Sequence, residues 1–532
     1  MTTSRVKALC AAAASVALLA PLAACGNSGS HASTGANGKP LVTIEVARNV
    51  TDQPIAKTAY AKQLEAACNC DIKWTEVQDD AWGQQKAAKM AAGDFPDIGL
   101  RIFGSDDVSK YPTQFKDLKP VLNKMPNVEK FFKLQPYAKK MSEQNGKIFV
   151  LANDRGKQYR VSTTHMFINK MWLDKLGLKV PTTFDELEAD LKAFKTGDPN
   201  GNGKADEVPM NIHSIAFGMW SALAFMNSYG AATSWQGNSA SGQGFYLDNG
   251  KVKDYWTSDA LKNTMIFLHK LVAEGLIPKD SLTRDASQYQ AQTVNDGKTA
   301  RTGVTFGWSP QSEFGKLADQ YVPVAPLKVS ADQPESQLKW DNSISGTEFA
   351  TSLTVNPKAP HLDAVYKIIN AMYSPKMSVE GYFGSIPDIV TQKGSTYTIN
   401  RRKAYAKYSD TREVALQDRF AGSIPDSVTI VGDDNGDQVV AANKPYEKVL
   451  SQTSATKDVI PLYVQPDSED LQTLSDNNTA ISNYASNQLA KWFTNGGVDK
   501  DWSTYVKKLR TPSLGLAENI KIWQKWYDKQ AK

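Results

Sequence analysis

A ten-residue stretch of the 532-residue chain carries oxygen-bearing side chains in the order and spacing of a calcium-binding loop. It runs over 198–207 as Asp-Pro-Asn-Gly-Asn-Gly-Lys-Ala-Asp-Glu, and Gly203 stands where a tight calcium loop turns sharply. Oxygen ligands without Cys or His suit Ca²⁺ better than a transition metal. The predicted ligands are Asp198, Asn200, Asn202, the backbone carbonyl of Lys204, Asp206 and Glu207.

This spacing departs from that of an EF-hand, in which a bidentate Glu stands at position 12 of the loop. Position 12 is Pro209 here, so Glu207 at position 10 must take that part. The loop follows a predicted helix and is far from any catalytic motif, which favours a structural ion. The alternative interpretation is an Asn- and Gly-rich surface turn without metal.

The N-terminus has the pattern of an export signal that ends at a modifiable cysteine. Arg5 and Lys7 precede an apolar run over 8–24, which is short for a bilayer span. The sequence Leu-Ala-Ala-Cys ending at Cys25 resembles the lipobox of bacterial lipoproteins. This resemblance implies a signal peptide over 1–24, lipidation of the Cys25 thiol and a lipid anchor. An uncleaved membrane anchor is the alternative.

Residues 25–39 are rich in Gly, Ser and Asn and read as a flexible tether. We therefore expect a globule held at the extracellular face of the cell membrane, and the Ala-rich signal with its Gly/Ser tether fits a Gram-positive surface. Beyond Cys25 the chain has only Cys68 and Cys70. A bridge across one residue closes a very small loop and stabilises little, so their pairing is left open.

Composition excludes several classes of protein. Hydrophobic residues make up 41% and charged residues 22%, which is a globular rather than a disordered composition. The formal net charge of +5 is small for this length and argues against a nucleic-acid partner. Five His, none of them paired at metal-ligand spacing, argue against a His-rich metalloenzyme.

The residue pattern predicts an α/β protein of two or more domains. Residues 41–47 alternate as a strand, 55–67 have helical periodicity, and 71–77 form a second strand, so the chain begins with a strand–helix–strand unit. A Thr-x-x-Glu capping box at Thr183 opens a further helix that runs to about 196.

Several segments taken together are similar to the extracellular solute-binding lipoproteins of ABC importers, in the large sugar-binding group of the family 1 type. Their order and spacing hold across nearly the whole chain after the tether. The calcium-like loop also has a counterpart in members that bind alginate oligosaccharides. The segments are Met90–Ile98, Asn145–Phe149, Ile168–Leu187, Lys270–Pro278 and Ala490–Gly496.

The resemblance implies a two-lobe fold of the periplasmic-binding-protein type, with discontinuous lobes, a hinge and a ligand cleft between the lobes. Lobe one would take 40–160 and 320–375, and lobe two 161–319 and 376–532. It further implies a monomer that is not an enzyme and that delivers an oligosaccharide to the permease subunits of an ABC transporter.

An oligosaccharide offers flat C–H faces to aromatic rings and hydroxyls to polar side chains. Trp308 follows the strand-like run 302–306, where the family often places an aromatic in the cleft, and it is the first candidate. Polar candidates stand at predicted strand ends, where such folds bind ligands. The further candidates are Trp220, Trp235, Trp340, Asn49, Asp52, Gln53, Asp94, Arg101, Glu348 and Phe383.

Two alternative functions remain open at this stage. The same fold could bind a peptide, a phosphorylated compound or an acidic uronide, although the small net charge gives no hint of a basic cleft. A secreted carbohydrate-active enzyme would need two carboxylates at about 5–9 Å, a distance that the sequence does not give. No G-x-S-x-G or H-E-x-x-H motif supports an enzyme.

Overall fold

The computed structural model describes residues 34–35, 37–48, 53–235, 239–400 and 415–531. The predicted signal peptide and Cys25 lie outside these ranges. Within them, no helix has both the length and the apolar character needed to cross a membrane. The strands are β1 (Leu41–Ala47), β2 (Asp71–Val77), β3 (Ile98–Leu100), β4 (Glu143–Gln144), β5 (Lys147–Ile148), β6 (Val150–Asp154), β7 (His165–Asn169), β8 (Val208–Met210), β9 (Phe245–Asp248), β10 (Lys251–Asp254), β11 (Thr302–Gly307), β12 (Tyr321–Val324), β13 (Phe349–Val355), β14 (Val390–Lys393), β15 (Thr396–Ile399) and β16 (Thr429–Val431).

The described α-helices cover both faces of the sheets and form the C-terminal region. They are α1 (Ala59–Cys68), α2 (Asp79–Ala92), α3 (Ser105–Lys110), α4 (Pro126–Leu134), α5 (Pro136–Ser142), α6 (Lys170–Leu176), α7 (Phe184–Thr196), α8 (Asp259–Ala273), α9 (Ala286–Val294), α10 (Pro310–Phe314), α11 (Ile344–Glu348), α12 (Leu362–Met372), α13 (Pro375–Phe383), α14 (Asp434–Asn443), α15 (Glu447–Ser451), α16 (Ser468–Asn495), α17 (Val498–Leu509) and α18 (Leu516–Gln530).

Local sequence signals set the ends of several helices. The Thr183 hydroxyl caps α7 by accepting the backbone N–H of Glu186 at 3.2 Å. The Glu186 carboxylate, which the capping-box pattern directs back to Thr183, instead accepts the backbone N–H of Thr182 at 2.7 Å. Both bonds fix the entry of the chain into the helix.

The first sheet has the strand order β2-β1-β3-β13-β6. β1 runs parallel to β2 and β3, whereas β13 is antiparallel to β3 and β6. Val42, Ile44 and Val46 alternate along β1 and are fully buried in a core that includes residues of α1 and α12. The predicted strands are confirmed, and the predicted helix over 55–67 is a 3₁₀ turn followed by α1.

The second sheet has the order β12-β7-β11-β8. β11 is parallel to β8 and antiparallel to β7, and β12 closes the other edge by antiparallel pairing with β7. Residues of α7, α8 and α16 contribute to the core beside this sheet, among them Phe184, Leu268 and Ile481.

Two separate hydrophobic cores define two lobes. The first core takes residues from 42–159 and 349–428, and the second from 166–340 and 442–527. The chain therefore passes between the lobes three times, over 160–165, 341–348 and 429–441.

This division differs from the predicted boundaries at two places. The segment 320–348, predicted for lobe one, supplies β12 and the buried Trp340 to the second lobe. The segment 376–428, predicted for lobe two, packs into the first core through Phe383 and Phe420. The physical reason is long-range pairing: β12 lies opposite β7 with Tyr321 beside Asn169, and periodicity along the chain does not specify such partners.

A buried carboxylate joins two of the three passages. Asp341 Oδ2 accepts hydrogen bonds from the hydroxyls of Thr163 at 2.9 Å and Ser343 at 2.6 Å. Asp341 Oδ1 accepts them from the Thr233 hydroxyl at 3.0 Å and the backbone N–H of Trp235 at 2.9 Å. Four donors offset the desolvation of this carboxylate. The first two passages and the loop before Trp235 are thereby fixed to one another.

Cys68 and Cys70, whose pairing the sequence leaves open, are disulfide-bonded at the end of α1, with their Cα atoms 5.2 Å apart.

Candidate ligand-binding cleft

A cleft with a volume of ≈ 1030 Å³ lies between the two lobes. On the first lobe it is lined by residues of α2, α3 and the turn after β3, and on the second lobe by residues of α16 and of the segment 460–465. Residues of the passage formed by α11 and the start of β13 line it as well. Pockets for drug-sized ligands measure about 300–1,000 Å³, so this cleft has room for an extended ligand.

Arg101 occupies a special position in this cleft. It directly follows β3, and its backbone adopts a left-handed conformation with φ 54°. Its N–H donates to the Ser352 carbonyl at 2.7 Å, which fixes the turn beside β13. The side chain is exposed in the cleft. Arg101 is accessible to water from the open cleft and is nevertheless surrounded by protein. The resulting desolvation and the charge of nearby Arg155 lower its pKa.

Among the described residues of the first lobe, three further arginines each have a carboxylate partner. Arg48 is 3.3 Å from a carboxylate oxygen of Glu76. Arg155 pairs with Asp418 at 3.0 Å, and Arg419 pairs with Asp79 at 2.6 Å. Arg155 and Arg419 both act electrostatically on Arg101, as do their carboxylate partners. The cleft end of the first sheet is therefore a basic region that its own carboxylates partly neutralise.

Trp308, the first aromatic candidate, lies at the boundary between the lobes and is not among the residues that line the cleft of ≈ 1030 Å³. It follows β11 of the second lobe, is half-buried and packs against the first core. Its ring is stacked on Tyr159, with centroids 6.5 Å apart and an interplanar angle of 16°. Arg155 lies over the Tyr159 ring at 5.6 Å, so this aromatic pair continues into the arginine region.

The backbone before Trp308 has no room for a side chain. A Cβ on Gly307 would lie 2.1 Å from Cγ of the buried Glu313. His165 further holds this turn, because its Nδ1 is 3.0 Å from the Trp308 carbonyl. Burial lowers the pKa of His165 to about 4, so the ring is neutral at physiological pH and its Nδ1 can donate to that carbonyl.

The other three Trp candidates are anchored to the passages between the lobes. Trp220 is half-buried, and its indole N–H donates to the Thr163 carbonyl at 2.8 Å. Trp340 is buried and donates to the Thr164 carbonyl at 2.7 Å. Trp235 is buried with no hydrogen-bond partner on its indole N–H. Among these three, only Trp220 presents partly exposed ring surface.

Some polar and aromatic candidates lie away from the cleft. Asp94 is exposed in the turn between α2 and β3, at the opposite end of β3 from Arg101. Phe383 is buried in the first core beside Tyr382, with ring centroids 4.7 Å apart. Strand polarity explains why Asp94 lies away from Arg101, because the segment before a strand and the segment after it lie at opposite sheet edges. Gln53 is half-buried, and Asn49 and Asp52 lie outside the described residues.

Glu348 lies at the end of α11, in the second passage. It is buried, and its carboxylate pairs with Arg160 Nε at 2.7 Å. Burial and the neighbouring Asp154 raise the pKa of Glu348 to about 7. Arg160 also holds Asp426 through two bonds of 2.8 and 3.0 Å, so this guanidinium connects the first passage, the second passage and the first lobe. We interpret Glu348 as a residue of the hinge.

The structure also places at the lobe boundary several residues that are not among the predicted candidates. Tyr159 and Arg155 follow β6 of the first sheet, and His213 follows β8 at the same end of the second sheet as Trp308. His213 Nε2 is 3.4 Å from the Glu313 carboxylate, and its ring lies 5.6 Å from that of Trp220. The signal available in the sequence was their position just after buried strands, which is the rule that selected Arg101.

The second-lobe wall of the cleft has no charged side chain among its lining residues and combines polar residues with apolar ones such as Leu462 and Trp523. Over the 14 residues 477–490, α16 has no Asp, Glu, Lys or Arg, although much of this stretch is exposed. Apart from Leu471, its residues that line the cleft bear hydroxyl or amide groups. They are Ser475, Asn478, Thr479, Ser482 and Asn483.

The predicted calcium loop is ordered around its two Asp side chains. The Asp198 carboxylate accepts the backbone N–H groups of Gly201, Asn202 and Gly203, each at 3.1 Å. Asp206 Oδ1 accepts the side-chain amides of Asn200 at 3.0 Å and Asn202 at 3.1 Å. The Asn200, Asn202 and Asp206 side chains therefore converge on one point of the loop.

The donor chemistry of this loop fits a hard cation. Asp198, Asp206 and Glu207 supply carboxylates, and Glu207 Oε1 is buried without a hydrogen-bond partner. An orphaned carboxylate oxygen beside converging Asp and Asn side chains is what a bound Ca²⁺ would satisfy. No cluster of three or more His, Cys, Asp or Glu arranged for a metal occurs in the described ranges, so the Asn and backbone oxygens must complete the set.

Two α/β lobes, three passages between them and a large intervening cleft define a ligand-capturing binding protein. The chain belongs to the bacterial extracellular solute-binding protein family, whose model matches residues 49–378. The relatives are substrate-binding proteins of ABC transporters, and this chain is a binding protein and not an enzyme. The fructooligosaccharide ABC transporter substrate-binding protein FusA of Streptococcus pneumoniae is 27% identical over 495 residues, which cover 88% of this chain and 86% of FusA.

Solved structures share the whole fold. An HMO binding ABC-transporter associated solute-binding protein from Bifidobacterium longum infantis is 46% identical, with a TM-score of 0.89, over 93% of this chain and 100% of that chain. FusA in complex with kestose has a TM-score of 0.75 at 24% identity, over 92% and 99% of the two chains. Alginate-binding protein AlgQ2 has a TM-score of 0.62 at 21% identity, over 92% and 98%. The last two support the fold alone.

Proposed function

We propose that this protein captures an oligosaccharide in the cleft between its lobes and delivers it to the permease of an ABC transporter. The observation that carries the proposal is the position of Trp308, on the second lobe but stacked on Tyr159 of the first lobe. An aromatic surface at the lobe boundary suits the flat C–H face of a sugar ring. The uncharged wall of α16 supplies hydroxyls and amides for the hydroxyls of further sugar units.

A ligand that touches both walls would favour closure of the lobes. Closure requires only that the ligand bind the closed arrangement more tightly than the open one. The three passages are the elements about which such a movement would occur. We propose that the permease then recognises the surfaces that closure brings together, and that the protein acts as a monomer.

The loop 198–207 is proposed to hold a structural Ca²⁺. The solved relatives include an EF-hand mutant of FusA and AlgQ2 without calcium ion, which supports a calcium loop in this branch of the family. In this chain the orphaned Glu207 oxygen and the converging Asn200, Asn202 and Asp206 side chains support the same assignment. The ion would stabilise the second lobe, to which the loop belongs.

The protein is proposed to be anchored by lipid on Cys25 at the outer face of the cell membrane, after removal of residues 1–24. The family is extracellular, and Lipoprotein LipO of Bacillus subtilis is 28% identical over 286 residues, which supports an anchored location.

The test is isothermal titration calorimetry of the full chain, in detergent and with calcium, against oligosaccharides of defined linkage and against peptides as non-sugar cargo. Saturable binding of one class of saccharide without product formation supports the proposal. Binding of peptides alone contradicts the assigned cargo. Hydrolysis of any saccharide contradicts the transport function.

A further inference from the structure

We propose that the cargo is an acidic oligosaccharide, and that Arg101 binds the carboxylate of one of its sugar units. This inference deepens the proposed function and rests on it, because it concerns the same cleft. The chemical class is a saccharide that carries a uronic-type or similar carboxylate among otherwise hydroxylated units.

At the cleft end of the first sheet, the described arginines other than Arg101 are paired with carboxylates. Arg48, Arg155 and Arg419 each have a carboxylate within ion-pair distance. No hydrogen bond or ion pair joins the Arg101 guanidinium to any residue in the part of the chain that the structure describes. The carboxylates of Asp418 and Asp79 act on it only from a longer range, since each already pairs with another arginine.

An unpaired cation has a physical cost at this place in the cleft. The cleft walls desolvate Arg101, and the neighbouring guanidiniums of Arg155 and Arg419 repel its charge. Both effects lower its pKa, so the protein alone does not stabilise the charge. A ligand carboxylate would relieve both effects. A neutral hydroxyl would accept a hydrogen bond but leave the charge uncompensated.

The backbone of Arg101 is fixed in position at the end of β3. The left-handed backbone of Arg101 is held by its N–H bond to Ser352, so the side chain starts from a fixed point at the end of β3. A guanidinium presents parallel N–H donors that match both oxygens of a carboxylate. Arg101 lines the same cleft as residues of α16, which form part of the opposite wall.

Other charged residues that line the cleft do not cancel this cation. Lys86 and Asp107 pair with each other at 2.9 Å. The remaining charged residues that line the cleft are Lys110 and Asp106, which carry opposite charges and both lie on α3. The opposite wall on α16 is uncharged over 477–490, so it accommodates neutral sugar units and contributes no anion.

The experiment compares an oligogalacturonate with its carboxyl-reduced neutral form of the same length and linkage. Calorimetry on the full chain in detergent measures both affinities at low and high salt. We expect the acidic form to bind about tenfold more tightly or better, since a charge-assisted hydrogen-bond pair contributes that much. Added salt should reduce the preference.

The variants test whether Arg101 is the source of the preference. Arg101→Gln should bring the two affinities to within about twofold of each other, and Arg101→Lys should restore only part of the difference because it lacks the planar fork. Lys130→Gln removes an exposed positive charge from α4 and should leave the preference unchanged. Melting curves confirm that each variant is folded.

Three results would overturn the inference. Equal affinities for the acidic and neutral forms would do so, as would binding of the neutral form alone, and both leave the proposed transport function standing. An acidic preference that survives in Arg101→Gln would place the anion site elsewhere. Absence of binding to both forms and to every saccharide of the wider panel would instead contradict the proposed function itself.

Discussion

Trp308 of the second lobe and Tyr159 of the first lobe lie nearly parallel, with their ring centroids 6.5 Å apart. The two residues are separated by a long stretch of chain and meet only because β11 ends at the lobe boundary. Their contact places an aromatic surface beside the arginines of the first lobe, with Arg155 over the Tyr159 ring. A sugar ring bound there would touch residues of both lobes.

Trp308→Ala should weaken oligosaccharide binding by about tenfold, because it removes one aromatic contact and its buried area. Calorimetry with the tightest saccharide of the panel measures the change. Trp502→Ala is the matched control, since Trp502 is half-buried on α17 and packs against Trp492 rather than at the lobe boundary. Equal affinity of the two variants would exclude Trp308 from the binding site.

Asp198→Ala should lower the melting temperature in calcium far more than it lowers saccharide affinity. Binding of an ion to the folded state alone adds about 2.7 kcal/mol when the ion is at a hundred times its dissociation constant. A chelator should therefore lower the melting temperature of the native protein but change that of Asp198→Ala little. A native melting temperature that is the same with and without chelator would contradict a calcium site at 198–207.

As the pH rises from about 5 to about 7.5, the Glu348→Gln variant should lose less free energy of unfolding than the native protein does. The folded pKa of about 7 lies above the ordinary value of 4.5, because burial and Asp154 disfavour the charged form. The folded state therefore holds this proton more tightly than the unfolded state does. The resulting stability is present in full below about pH 4.5 and disappears as the pH rises through 7, a contribution of about 1–3 kcal/mol.

Urea unfolding of the native protein and of Glu348→Gln at both pH values tests this. Gln cannot ionise but still offers an oxygen to Arg160. Asp154, with a pKa raised to about 6, adds a decrease of the same sign, so the variant should keep part of the slope. Asp94→Asn, at an exposed turn, is the control. The prediction fails if Glu348→Gln and the native protein lose the same free energy of unfolding.

Gly307→Ala should destabilise the second lobe by about 1–3 kcal/mol, since its Cβ would overlap the buried Glu313 side chain. It should also weaken saccharide binding, because Gly307 directly precedes Trp308. Gly83→Ala is the matched control: Gly83 lies in α2, and a Cβ there meets nothing within 4 Å. Thermal unfolding and calorimetry measure both effects, and a Gly307→Ala melting temperature equal to that of Gly83→Ala would contradict the steric argument.

Cys25→Ser should release the protein from the membrane fraction into the medium or leave it unprocessed, because the lipidated thiol is lost. Cell fractionation and incorporation of labelled fatty acid detect the change. Cys10→Ser lies within the predicted signal peptide and should leave anchoring intact. Continued fatty-acid labelling of Cys25→Ser would contradict lipidation at this position.

Local features of the fold could be predicted from the sequence. The strand β1 has an alternation that any half-buried strand shows, and the oxygen spacing of 198–207 is contained within ten neighbouring residues. Family membership follows from short segments whose order is itself a property of the sequence. These features depend on residues close together in the chain, and for this reason no tertiary contact is needed to predict them.

Only the tertiary structure decided which candidates share the cleft. Arg101 and Asp94 flank the same strand, yet strand polarity places them at opposite sheet edges, and Trp340 is buried in the second core whereas Trp308 is half-buried against the first core. The lobe assignment of 320–348 depended on the pairing of β12 with β7, and the unpaired state of Arg101 depended on which carboxylates reach which arginines. Such pairings join residues more than a hundred positions apart, and their register and charge partners are set by packing of the whole chain.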